Sequence, residues 1–350
     1  MTLVQIAFII IAFLLSFAAV VAVRRWAMRR DLIAVPNERS SHRVPTPTGG
    51  GLAIVVVTIA VWLIYGFSVS RFGPLLPLTV GGLLIAAVGW IDDHRPVSPV
   101  LRFAVQGFAA AIAVFGFGWF QVIHLPLVHE IDLGWIGIPL TVLWIVGLTN
   151  AFNFMDGIDG IAGLQAMVAG LGWALIGWLA GGQLVMMIGG LLAVTSFGFL
   201  MKNWQPAKIF MGDVGSAFLG YIFAVLPLLF LYLAPEQNKS LSCGVLLLWV
   251  FVFDSMFTFL RRALRRENVI SAHRSHLYQR LVILGFSHRR VALLYGMLAA
   301  VGVFLAVAWF DTWNNYRIYI CLLPLMCFGL WAFIAKQERA KRCNVVLAGN

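Results

Sequence analysis

Long apolar stretches recur from one end of the chain to the other, separated by short polar ones. Runs of about 17–25 apolar residues are long enough to cross a bilayer as helices. Eleven runs are read, at roughly 3–23, 49–67, 74–91, 101–119, 136–152, 161–179, 183–201, 216–234, 241–260, 290–310 and 317–335. They are apolar all round, whereas the strands of a membrane barrel alternate apolar and polar residues. The pattern therefore predicts an all-α polytopic membrane protein of about 11 transmembrane helices. It forms a single integral-membrane domain over residues 1–350, with a tail at 336–350.

Composition agrees. The chain is 61% hydrophobic and 11% charged, with a mean hydropathy of +0.92. A soluble domain is nearer half apolar and a quarter charged. The first run has no basic region before it and no small-x-small cleavage site after it, so it is read as a retained span rather than a signal peptide. Cys243, Cys321, Cys327 and Cys343 show no CxxC spacing and no His at metal-ligand spacing, and are read as unpaired.

Charge adds the orientation. With eleven spans, 22 of the 25 Lys and Arg fall on one face, and only Arg71, Lys239 and Arg317 on the other. Basic loops are cytoplasmic. The N-terminus is thus expected outside and the C-terminus inside. The net charge of +11 follows from topology and attraction to anionic lipid headgroups. No nucleic-acid partner is required, and no nucleic-acid-binding motif is present.

Five cytoplasmic loops carry groups capable of chemistry. In "VPNERSSHRVPTPTGGG" (35–51), Pro45 and Pro47 prevent a helix. Gly49, Gly50 and Gly51 let backbone approach a ligand, but the loop is no Walker A motif. In "GWIDDHRPVSPVLRF" (89–103), Asp92 and Asp93 are adjacent carboxylates at a span end, costly without a cation. In "TNAFNFMDGIDGIAG" (149–163), Asn153, Asp156 and Asp159 are three apart, so a helical turn would place them near one face. Gly157 and Gly160 loosen that helix, and the span is expected to break there. Their oxygens suit a hard cation or a polar ligand. In "NWQPAKIFMGDVGSAFLG" (203–220), Asp213 precedes a span, where it is either a helix N-cap or at a helix start that favours a phosphate. The long loop 261–290 holds Arg274 between His273 and His276. Arg261, Arg262, Arg265 and Arg266 are read as positive-inside anchors. Asp254, a buried acid just inside a span, is expected to pair with one of the basic groups of this loop.

Carboxylates for Mg²⁺, with helix N-termini, Arg and Lys for phosphates, gather on one membrane face. That combination suits phosphoryl transfer from a soluble, anionic, Mg²⁺-bound donor to an acceptor held in the bilayer. The motifs "PNERSSHRVPTPTGGG", "DDHRPVSPVLR", "NAFNFMDGIDGIAG", "AKIFMGDVGS" and the His/Arg loop occur in that order. In them the chain resembles the polyprenyl-phosphate N-acetylhexosamine-1-phosphate transferases. The wording of "PNERSSH…GGG" and "HRSHLYQRL" looks most like the branch that primes O-antigen.

The resemblance implies that UDP-HexNAc and undecaprenyl phosphate give undecaprenyl-diphospho-HexNAc and UMP, with Mg²⁺ or Mn²⁺. It implies Asn153 and Asp213 as metal ligands, and Asp92 and Asp93 as the catalytic pair that orders or deprotonates the lipid phosphate. Asp156 and Asp159 would line the uridine pocket, Arg102 would contact the diphosphate, and Arg274 and His276 would close over the sugar-phosphate. Asn203 and Lys208 of the fourth loop are counted with the substrate-binding residues. The implied location is the bacterial inner membrane, multi-pass, in a family that often dimerises. Tyr278 and Gln279 stand where relatives carry a longer His run, and Thr48 where Arg or Met is common; both bear on sugar choice. Two other classes compete. A secondary transporter would place its ionisable groups near the midplane and show inverted repeats. A CDP-alcohol phosphotransferase needs a DGxxAR-type stretch, and "DGIDGIAG" lacks the Arg.

Overall fold

A backbone inside a bilayer must satisfy its own hydrogen bonds, and the apolar runs accordingly fold as helices. A computed structural model describes residues 3–36, 44–125, 128–236, 239–268, 273–311 and 316–348. Asn37 to Arg43, with most of the PNERSSH stretch, lie outside the described residues.

The chain runs α1 (Leu3–Arg29), β1 (Ile33–Ala34), β2 (Thr46–Pro47), α2 (Gly51–Ser68), α3 (Leu75–His94) and α4 (Pro99–Phe117). A hairpin of β3 (Val122–Leu125) and β4 (Val128–Asp132) leads into α5 (Gly137–Phe154), α6 (Ile161–Leu179), α7 (Gln183–Asn203) and α8 (Asp213–Leu233). The last third holds α9 (Ser240–Leu247), α10 (Trp249–Leu264), the short α11 (Leu277–Ile283), α12 (His288–Phe310) and α13 (Tyr316–Ala348). Nine described helices are long and apolar enough to cross a membrane, and α9 with α10 makes a tenth, bent by 75°. Helix α13 covers the eleventh run and continues through the expected tail to Ala348. The protein is thus helical and polytopic, with two short antiparallel hairpins that the apolar pattern does not announce.

Helix α8 is the axis of the bundle. Every residue from Val214 to Phe230 is buried, and α2, α3, α4, α5 and α9 pack around it. Helix α1 lies at the periphery, against α7 and α2. It is joined there by Ser16 Oγ donating to Thr195 O at 2.8 Å, while the Thr58 and Thr195 hydroxyls meet at 3.0 Å. Such hydroxyl bridges tie helices together where hydrocarbon offers no hydrophobic drive. Local sequence sets the ends that matter. Pro99 opens α4, and Ser98 Oγ accepts from Leu101 N at 3.3 Å.

The bend at Leu248 gives α10 an inverted face. Asp254, Thr258 and Arg262, four apart, are buried, whereas Met256, Phe259 and Leu260 are exposed. Arg262 is therefore not a solvated anchor: it is 7% exposed, with Glu267 Oε2 at 3.4 Å and the Asn268 carbonyl as partners. Arg261 donates to Ser275 O at 2.6 Å. Arg265 and Arg266 remain exposed, as anchors should.

Candidate active site

The acids of the second, third and fourth loops meet where the ends of α3, α4, α5 and α8 converge. Asp93, near the end of α3, turns its carboxylate onto the start of α8, accepting from Asp213 N at 2.7 Å and Val214 N at 3.2 Å. A carboxylate there satisfies orphan N–H groups and faces the positive end of the helix dipole. The cap of α8 is thus supplied by Asp93, and the N-cap reading of Asp213 fails. Asp213 sits inside the first turn with its side chain free for other work. Its Oδ1 accepts from Asn153 Nδ2 at 3.0 Å, and the same amide nitrogen donates to Ser216 Oγ at 2.9 Å. Asn153 is the penultimate residue of α5.

Asp92 accepts from Val97 N at 2.6 Å and from Arg102 Nη1 at 2.8 Å. Arg102 Nη1 also stands 3.8 Å from Asp213 Oδ2. One guanidinium on α4 thus bridges the acids of α3 and α8. Below it, Gln106 and Asn150 exchange amide hydrogen bonds of 3.3 and 2.6 Å, extending the polar cleft one turn along α4 and α5. Sequence reading missed this pair. Its signal was available: Gln106 lies four residues after Arg102, and Asn150 three before Asn153.

The third loop breaks as expected, with α5 ending at Phe154 and α6 starting at Ile161. The expectation that Asn153, Asp156 and Asp159 share one helical face does not hold, because the chain leaves the helix at Met155. Gly160 turns it at φ +80°, a conformation glycine adopts without strain. Asp156 is pushed well above the usual carboxylate range, first by loss of solvent and then by the facing charges of Asp213, Asp93 and Asp159. Asp159 points elsewhere. It accepts from Ala207 N at 3.2 Å and stands 3.3 Å from His288 Nδ1. His288, at the start of α12, was not singled out from the sequence, and nothing but its place in a loop expected to be cytoplasmic marks it there.

Asn203 is 3% exposed, with both ends of its amide committed: Oδ1 accepts from Gly160 N and Nδ2 donates to Ile209 O, each at 2.9 Å. It joins the third loop to the fourth. Lys208 is exposed. Gly50 and Gly51 of the first loop meet the backbone of the fourth, and Gly49 lies against the Trp90 ring. Gly50 N and Gly51 N each donate at 2.8 Å, to Phe210 O and Met211 O. A Cβ on Gly51 would lie 2.3 Å from Gly215 Cα, so only glycine lets α2 rest against the start of α8.

The His/Arg segment closes the arrangement on another side. His276 is buried, its Nδ1 3.3 Å from Asp254 Oδ1, which meets the expectation that Asp254 pairs with a basic group of that loop. Tyr278 O–H donates to Phe154 O at 3.0 Å, tying this segment to the end of α5. Arg274 is partly exposed beside them. His273 is lowered to about 4 by burial and by neighbouring His276, Arg262 and Arg261, and is neutral at neutral pH.

A polytopic helical bundle with carboxylates, an amide and one guanidinium at its helix ends has the parts of an enzyme acting on phosphates beside a membrane. The family model for glycosyl transferase family 4 matches residues 75–231, which includes both aspartate loops and Asp213. A probable undecaprenyl-phosphate N-acetylglucosaminyl 1-phosphate transferase of Bacillus subtilis is 36% identical over 84% of this chain and 82% of its own. A decaprenyl-phosphate N-acetylglucosaminephosphotransferase of Mycolicibacterium smegmatis is 32% identical over 91% and 88%. A phospho-N-acetylmuramoyl-pentapeptide-transferase of Shouchella clausii is 31% identical over 75% and 84%. The chain belongs to the polyprenyl-phosphate N-acetylhexosamine-1-phosphate transferase family. Its relatives are sugar-phosphate transferases, which selects the enzyme reading over the transporter.

Proposed function

We propose that the protein transfers HexNAc-1-phosphate from a UDP-sugar to undecaprenyl phosphate, in a bacterial inner membrane, with the cleft on the cytoplasmic side. The observation that carries this reading is the meeting of Asp92, Asp93, Arg102, Asn153 and Asp213 from four helix ends. A lipid-phosphate oxygen attacks the β-phosphorus of the donor. The new P–O bond forms as the bond to the bridging oxygen breaks, and UMP leaves with that oxygen.

The residues divide the work. Arg102 offers its fork to phosphate oxygens and is held for that by Asp92. Asp93 fixes the start of α8 and so the place of Asp213. Every Asp92 and Asp93 oxygen already accepts a hydrogen bond. We read their role as positioning, since an anionic lipid phosphate needs no base to make it a nucleophile. Asp156, beside the cleft, and Asp159, held by the fourth loop, line the place for the nucleoside end. Arg274, His276 and Lys208 face the anionic donor from the other loops.

The donor set suits Mg²⁺. Its oxygens are hard, and burial, with the nearby carboxylates of Asp213, Asp93 and Asp159, raises Asp156 above its usual range. Among the described residues no group of three or more His, Cys, Asp or Glu stands ready to hold a metal. The ion would be held by Asp213 and the Asn153 amide oxygen and would complete its shell with phosphate and water, as Mg²⁺ does. When bound, it would draw charge from the diphosphate as a Lewis acid. The wording of the PNERSSH and HRSHLYQRL stretches supports a place at the start of O-antigen or another envelope glycan.

The test is direct. Purified protein mixed with undecaprenyl phosphate, Mg²⁺ and UDP-GlcNAc or another UDP-HexNAc should release UMP only when lipid and cation are both present. No UMP from any UDP-HexNAc overturns the reading.

A further inference from the structure

Asp254 lies on α10, outside the acid cleft, and nothing in the transfer step uses it. It is fully buried, and it gathers five hydrogen bonds from three helices and the HRSH segment. Leu277 N and Tyr278 N donate to it at 2.8 and 3.1 Å, Tyr295 O–H at 2.6 Å and Thr258 O–H at 3.2 Å. The fifth contact is His276 Nδ1, at 3.3 Å. An ionised carboxylate only accepts, so this contact requires the ring proton on Nδ1. The ring itself lies 6.3 Å from that of Phe154, the residue that follows the proposed ligand Asn153.

A buried carboxylate this richly bonded is costly to keep, and apolar packing would serve stability as well or better. Its geometry resembles the arrangement in which a carboxylate fixes the tautomer and orientation of a working imidazole. We propose that Asp254 is a positioning residue acting through His276: it holds Nδ1–H inward and presents Nε2, an acceptor in that tautomer, to a hydroxyl or acylamino N–H on the sugar of the sugar-nucleotide donor. The same carboxylate holds the first N–H groups of α11, and through the Tyr278 bond to Phe154 O it keeps the HRSH segment in register with the acid loop. The inference rests on the transferase reading for its ligand, but its structural half stands apart from activity.

Two measurements test it. The first is nitrogen NMR of ¹⁵N-histidine-labelled protein in micelles, with the His276 signals assigned by their loss in His276→Ala. Nδ1 should carry the proton in the wild type, and Asp254→Asn should move the population toward Nε2–H. A wild-type His276 protonated on Nε2 alone overturns the inference whatever the enzyme does. The second is a double-mutant cycle on UMP release. Asp254→Asn and His276→Ala should each cost roughly 10–100-fold in kcat/KM for the donor, the range seen when an orienting partner is lost. The KM for the lipid should stay within about twofold on the same argument. The double variant should be no worse than His276→Ala alone, because the two act as one unit. Multiplicative losses would make Asp254 merely structural and overturn the inference. Should Asp254→Asn fail to fold, Tyr295→Phe serves in its place: it removes one bond to Asp254, and its loss of activity should vanish in the His276→Ala background. A loss that persists there overturns the proposal. A wild type that releases no UMP, yet shows the Nδ1–H tautomer, would discard the transferase reading and leave the Asp254–His276 pairing intact.

Discussion

At the scale of single residues, the carboxylates of the cleft are not equivalent, and their partners say why. Asp93 spends itself on the start of α8, Asp92 on Arg102 and Val97, and Asp213 on the Asn153 amide, with its Oδ2 3.8 Å from Arg102 Nη1. Asp213→Asn should therefore abolish turnover while the protein still inserts and folds, since a hard cation needs the full charge. Near-normal UMP release from the variant at limiting Mg²⁺ would remove Asp213 from the metal site. Asp156 gives a pH dependence with a definite sign. Its folded value is raised above the unfolded one, so its contribution to stability is greatest at low pH. That contribution is lost as pH rises from the ordinary carboxylate range through the raised value. In metal-free buffer, Asp156→Asn should raise Tm, and the gain should grow with pH across that window. A gain independent of pH in thermal scans would mean that the carboxylate is not the strained group.

At the scale of elements, the cleft depends on close backbone contacts more than on side-chain packing. The start of α2 rests on the start of α8 through Gly51 and Gly215, and the Gly51 N–H bonds Met211 O. Gly51→Ala should destabilise the protein by about 1–3 kcal/mol, the usual cost of overpacking a tight contact. Turnover should fall further than stability alone explains, because α8 carries Asp213. An unchanged Tm would show that α2 can shift without cost. The bend between α9 and α10 has a comparable consequence. It turns Asp254 and Arg261 toward the 273–278 segment, so charges that look alike in sequence separate into braces and anchors. Arg265→Ala should leave UMP release within about twofold, as exposed charges contribute little, whereas Arg261→Ala should lower it by loosening Ser275. Equal losses in the UMP assay would show that the loop serves only general electrostatics.

At the scale of the whole molecule, the split of basic residues predicts that the loop between α8 and α9 faces outward and the loop after α10 faces the cytoplasm. A cysteine placed at Glu236, exposed between α8 and α9, should react with an impermeant maleimide in intact cells. One placed at Arg265 should react only after permeabilisation. The reverse pattern would overturn the orientation and, with it, a cleft supplied from the nucleotide-containing side.

The class of the molecule was legible in the chain alone. Spans are legible because hydrocarbon admits no unsatisfied backbone, so each helix shows as an apolar run of fixed length. The acids were legible as candidates for the same reason, since a charge near a bilayer is too costly to keep without a use. The break in the third loop showed in Gly157 and Gly160. Partners were not legible. Nothing local tells that the cap of α8 comes from Asp93, 120 residues earlier, or that Asn203 joins Gly160 to Ile209. Gly51 likewise carries no local sign that the start of α8 rests against it. Hydrophobic length is a property of a segment and survives in one dimension. A hydrogen bond between helix ends exists only once the bundle has brought those ends together, and that choice belongs to the tertiary structure.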